Sequence, residues 1–129
     1  MATSFLIVQR GTEIGQRINL TQQQCTIGRN PDNTIILNEA LVSRYHAVLT
    51  KDINGQFSIT DLGSVNGVVV NDKLLEPGIQ TKLNHRDLIF IGKTVFNLQL
   101  RSEGYIAASP PNRVDPDATL FLPLQTLFD

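Results

Sequence analysis

Residues 41–49 read LVSRYHAVL. They place a serine, an arginine and a histidine between apolar neighbours, and they run straight into a short β-branched stretch, HAVLT. Three readings meet here: half of a hydrolytic site, a phosphate-binding loop, or the first residues of a strand. Outward from this stretch the first hundred residues are built the same way. SFLIVQR, QRINL, CTIG, TIIL, HAVLT, QFSIT, GVVVN, LIFIG and TVFNLQLR are short runs rich in β-branched and apolar residues. Turn signals separate them: Gly11-Thr12, Asn30-Pro31, Asn54-Gly55, Asn66-Gly67 and Pro77-Gly78. Cys25 and Ile27 alternate with Gln24 and Thr26, and Phe57 and Ile59 with Ser58 and Thr60. That period of two predicts strands with one buried and one wet face. No segment carries ten residues of helical periodicity with caps, so the pattern predicts an all-β sandwich.

The totals narrow the function. A chain of 129 residues is one domain with a tail. Its formal net charge is −1, so no global field draws it to DNA or to an anionic membrane, and any anion site must be local. No basic stripe or aromatic ladder suggests nucleic acid. No residue cluster predicts a metal or a cofactor. Cys25 is the one cysteine, which fits a reducing compartment. The first ten residues, MATSFLIVQR, lack a basic region and hold an apolar run of only about four residues, unlike a signal peptide. No apolar stretch is long enough to span a bilayer. A soluble cytoplasmic protein is the expectation.

Composition changes after Arg101. Residues 102–118, SEGYIAASPPNRVDPDA, are small, polar and proline-rich and read as a flexible linker behind a domain at 1–101. Residues 119–129, TLFLPLQTLFD, turn apolar again, as a segment that docks on something.

Three clusters carry chemistry. In TIGRNPDN (26–33), Gly28 permits close backbone approach, and the Arg29 guanidinium offers a fork of donors suited to phosphate. The alternative is an ordinary strand end with a solvated arginine. In Ser43-Arg44-Tyr45-His46, a hydroxyl beside a guanidinium can donate twice to phosphate oxygens. His46 reads as a structural histidine that bonds backbone. A hydrolase would pair Ser43 with His46 and add Asp61. However, side chains three apart on a strand face opposite ways, and no Gly-x-Ser-x-Gly elbow surrounds Ser43. In DLGSVNGVVVN (61–71), Asn66-Gly67 is the preferred dipeptide of a tight hairpin. Equally, Ser64 and Asn66 display a hydroxyl and a carboxamide, and a carboxamide can pair with an extended peptide backbone.

The ordered set of Gly28-Arg29, Ser43-Arg44-x-His46, Ser64-x-Asn66-Gly67 and Val70-Asn71 resembles the forkhead-associated (FHA) domain. LIVQRGTEIGQRINL resembles that family's opening hairpin, and DLIFIG with TVFNLQL its closing strands. The resemblance covers roughly residues 4–101. It implies about eleven strands in two sheets and a non-catalytic module that binds phosphothreonine in extended peptides. It further implies that Arg29 contacts the phosphate, Ser43 hydrogen-bonds it, and Arg44 adds a phosphate or peptide contact. Ser64 and Val65 match the loop flanking the phosphothreonine, and Asn66 the asparagine that holds peptide backbone. Gly28, His46, Gly67 and Asn71 match positions that shape the loops. The chain departs from the family pattern at Thr34, Val65 and Val68, none of which removes a phosphate ligand.

The tail adds a candidate phosphosite, Thr119, with acidic residues before it and Leu122 three places after it. A flexible linker of this length spans about 20–25 Å, enough for the tail to reach a recognition loop in cis or in a second copy. Two readings of function therefore compete. One is a phosphothreonine-dependent adaptor in Ser/Thr kinase signalling. The other is a phosphate-independent scaffold that assembles through its apolar tail.

Overall fold

A strand with alternating apolar residues is stable only if its apolar side is covered, and two sheets facing each other are the economical solution. In the computed structural model, which describes residues 3–101, this is what the alternating runs do. Among the described residues there are eleven strands: β1 (Phe5–Arg10), β2 (Arg17–Asn19), β3 (Gln24–Gly28), β4 (Ile35–Ile36), β5 (Ala47–Lys51), β6 (Phe57–Asp61), β7 (Val69–Val70), β8 (Lys73–Leu74), β9 (Thr81–Lys82), β10 (Leu88–Ile91) and β11 (Thr94–Gln99). One sheet runs β2-β1-β11-β10-β7-β8 and the other β4-β3-β5-β6-β9. All pairs are antiparallel except β3 with β4.

Leu6, Val8, Ile89, Ile91, Phe96 and Leu98 of the first sheet share one core cluster with Cys25, Ile27, Leu49, Phe57 and Ile59 of the second. Each of the aliphatic and phenyl side chains contributes roughly 1.5–3 kcal/mol by leaving water. Gln24 and Thr26, or Ser58 and Thr60, take the opposite side of their strands and stay wholly or partly wet, as the alternation predicts.

Two strands have no counterpart among the apolar runs. β8 and β9 are two-residue edge strands with exposed or half-exposed side chains, so neither leaves a period-two pattern in the sequence. The tight-hairpin alternative for Asn66-Gly67 is not what forms. β6 and β7 belong to different sheets, so residues 62–68 cross between sheets, and only Gly67 of the pair has positive φ (84°). The hairpin forms later, at β7–β8, where Asn71 takes φ 60°. There Nδ2 of Asn71 donates to Asp87 (3.1 Å) and its Oδ1 accepts from the Leu88 amide (3.0 Å), which ties this hairpin to the start of β10. The expected linker at 102–118, the apolar tail at 119–129 and Thr119 lie outside the described residues.

Candidate functional site

Three connections are laced together by hydrogen bonds: 29–34 after β3, 37–46 before β5, and 62–68 after β6. The lacing starts at Gly28. A Cβ built there would sit 2.2 Å from the Arg44 carbonyl oxygen and 2.8 Å from Asn33 Nδ2, so only glycine lets the second connection pass. With that approach allowed, the Arg29 amide donates to the Ser43 carbonyl (3.0 Å) and the Asn30 amide to the Arg44 carbonyl (3.2 Å). The buried Asn33 side chain clamps the same turn, with Nδ2 donating to the carbonyls of Asn30 and Arg44 (2.8 Å each).

Arg29 is exposed, and its Nε donates to the Val42 carbonyl (2.9 Å). That bond aims the guanidinium and leaves its terminal nitrogens without a partner among the described residues. Arg44 is exposed too, with its carbonyl rather than its guanidinium engaged. The Ser43 hydroxyl oxygen accepts from the Val65 amide (3.0 Å). Its own proton remains available to an acceptor.

His46 is fully buried. Its Nδ1 accepts from the Ser43 amide (3.0 Å), which makes Nε2 the protonated nitrogen, and Nε2 donates to the Gly67 carbonyl (2.8 Å). One imidazole thus joins two connections through backbone. In the third connection, Asp61 Oδ1 accepts from the amides of Gly63 (3.0 Å) and Ser64 (2.8 Å), and the Ser64 hydroxyl accepts from the Gly67 amide (3.0 Å). Asn66 is exposed and donates through Nδ2 to the Leu41 carbonyl (2.8 Å). Val65 projects into solvent, 86% exposed.

The fold therefore brings Arg29, Ser43, Arg44, Ser64, Val65 and Asn66 into one bonded cluster, with Gly28, His46 and Gly67 beneath it. Asn71 sits apart, in the β7–β8 hairpin. The Ser43–His46–Asp61 pairing of a hydrolase does not assemble: both His46 nitrogens hold backbone groups, and Asp61 caps its own turn.

Sequence reasoning misses several contributors. The carbonyls of Leu41 and Val42 aim Asn66 and Arg29, and a backbone carbonyl has no sequence signature. Glu39 accepts from the Lys93 amide (2.8 Å) and the Thr94 hydroxyl, which straps the second connection to the β10–β11 turn. Its partners lie more than fifty residues away. Asn33 was visible only as part of an Asn-Pro-Asp-Asn turn.

The sequence profile of the FHA domain matches residues 25–92. Among curated relatives, the oxoglutarate dehydrogenase inhibitor of Corynebacterium jeikeium is 38% identical over 91 residues, 70% of this chain and 60% of that protein. The glycogen accumulation regulator GarA of Mycolicibacterium smegmatis is 38% identical over 91 residues, 70% of this chain and 55% of that protein. The chain thus spans little more than half the length of these relatives. Among solved structures, Mycobacterium tuberculosis EmbR in complex with a low-affinity phosphopeptide is 33% identical. It superposes with a TM-score of 0.69 over 79% of this chain and 25% of that one. The FHA domain of an Arabidopsis thaliana hypothetical protein is 26% identical, with a TM-score of 0.72 over 81% of this chain and 91% of that one.

Proposed function

This chain belongs to the FHA domain family, and from that premise we propose that it is a phosphothreonine-dependent adaptor, a non-catalytic interaction module in Ser/Thr kinase signalling. The observation that carries the reading is the placement of Arg29 and Ser43. Each is anchored by one bond from below, and each keeps donors free at the same loop cluster. A phosphothreonine dianion brings about −2 charge and three acceptor oxygens. Hydrogen bonds to charged groups contribute roughly 1.5–3 kcal/mol each. Two or three of them, less the cost of ordering a peptide, lead to roughly micromolar affinity, which suits reversible signalling.

In this reading Arg29, Ser43 and Arg44 hold the phosphate, Ser64 and Val65 flank the phosphothreonine, and Asn66 pairs with peptide backbone. Gly28, His46 and Gly67 keep these loops in shape, while Asn71 shapes the separate β7–β8 hairpin. Residues 1–101 are the module, 102–118 the linker and 119–129 the tail. Partners are phosphothreonine proteins and the kinases that make them. The tail itself, phosphorylated on Thr119, is a further ligand in cis or in trans. The lone Cys25 fits a cytoplasmic setting. Capture from a kinase-treated lysate, with and without phosphatase, tests the adaptor. Partners are expected on wild-type protein only without phosphatase, and on Arg29→Ala protein in neither case. Partners indifferent to both phosphatase and Arg29→Ala would overturn it.

A further inference from the structure

Beside the free donors lies a second polar cluster. Asn30 Nδ2 donates to Asp32 Oδ1 (2.7 Å) and to the Tyr45 hydroxyl (2.6 Å), and that hydroxyl donates to Asp32 Oδ2 (2.8 Å). Asp32 and Tyr45 are exposed, the latter by 49%. Tyr45 follows Arg44 in the chain, and the Arg44 carbonyl takes the Asn30 amide and Asn33 Nδ2. The Asp32 carboxylate is therefore lashed, through a rigid aromatic side chain, to the segment that carries Arg44. The bond to Asp32 raises the pKa of the Tyr45 hydroxyl, which keeps it a donor.

The charges around the loops give this cluster a role. The charged side chains of the three connections, with Asp61 at the last one's root, are Arg29, Asp32, Glu39, Arg44 and Asp61. Glu39 is half-buried and accepts from the Lys93 backbone amide and the Thr94 hydroxyl, and Asp61 is buried under its own turn. That leaves two exposed cations and one exposed anion. A phosphothreonine dianion of about −2 balances Arg29 and Arg44, and Asp32 is then the exposed anion left at the rim. Its partners among the described residues are both neutral, and a carboxylate has about four acceptor positions, of which two are used.

We infer that Asp32, held in place by Tyr45 and Asn30, is a specificity determinant of this site. It selects a lysine or arginine next to the phosphothreonine on the Tyr45 side and rejects an acidic residue or a second phosphate there. The inference rests on the phosphothreonine reading and adds to it the charge of the preferred ligand. At a solvated rim, one such contact changes affinity about 3–10-fold, less at high salt.

The test titrates the full chain with an alanine-flanked phosphothreonine peptide and its variants by fluorescence anisotropy. Each of several positions on either side is set in turn to Arg, Ala or Asp, at low and at high salt. At one flank position, the Arg peptide is expected to bind about 3–10-fold more tightly than the Asp peptide. The ratio should collapse towards one in Asp32→Asn, fall part-way in Tyr45→Phe, and shrink with salt. Asp32→Asn should still bind the alanine-flanked peptide, which shows that the site is intact. An Arg-to-Asp ratio equal in Asp32→Asn and wild type, or no discrimination at any position, overturns the inference and leaves the phosphothreonine reading standing. No binding of any phosphothreonine peptide overturns both.

Discussion

The Ser43 hydroxyl and the Val65 amide meet at 3.0 Å, so one side chain bridges two connections that are 22 residues apart in sequence. The amide holds the oxygen and orients the hydroxyl, whose proton stays free for a phosphate oxygen. Ser43→Ala removes both contacts. Phosphopeptide affinity should fall about 10–100-fold, the equivalent of one charged hydrogen bond. Stability should fall by only about 0.5–1.5 kcal/mol, because the orphaned Val65 amide is at the surface. Calorimetric titration beside urea denaturation checks this, and a large stability loss with unchanged affinity would contradict it.

Glu39 acts on the site from a distance. The segment it straps supplies the Leu41 carbonyl to Asn66 and the Val42 carbonyl to Arg29. Glu39→Ala should therefore weaken peptide binding about 3–10-fold, as loosened positioning of the two side chains proposed to contact ligand. Thr94→Val should do part of the same. The two act through one contact, so the double mutant should lose less than the sum. Strict additivity in binding would contradict the strap.

The fold was legible because period-two alternation survives in the long strands. Cys25, Ile27, Phe57 and Ile59 pointed inward in sequence and do so in the structure. What stayed hidden follows from the same physics. β8 and β9 are too short and too wet to carry a period. Asn66-Gly67 has the composition of a hairpin turn, yet its flanking strands enter different sheets, and composition does not encode that choice. Within the candidate site, the side chains with a chemical signature can be named from sequence: Arg29, Ser43, Arg44 and Asn66. The carbonyls of Leu41 and Val42 aim Asn66 and Arg29, and Glu39 straps the segment that carries them to remote partners, which no local pattern announces. Tyr45 was visible as a residue, but its bonds to Asn30 and Asp32 needed the turn that brings three loop positions together.

Cys25 provides a pH prediction. Burial pushes its thiol up from 9.0 to about 11. The folded state holds this proton more tightly than the unfolded chain does. The resulting stabilisation is complete below about pH 9 and is lost as pH rises to about 11. Denaturant titrations from pH 8 to 11 should show stability falling in that window, with the fall reduced in Cys25→Ala relative to its own value at pH 8. The thiol should also resist alkylation at pH 8 until the protein unfolds, because the thiolate is the nucleophile. Rapid labelling of the folded protein would contradict the burial.

The most direct measurement is a titration of the full chain with three matched peptides that carry threonine, phosphoserine or phosphothreonine at one position, repeated with Arg29→Ala. The phosphothreonine peptide is expected to bind at micromolar concentration, with binding that weakens below about pH 6 as the phosphate gains its second proton and is lost in Arg29→Ala. Equal affinity for phosphorylated and unphosphorylated peptides, or phosphothreonine binding that survives Arg29→Ala unchanged, would contradict it.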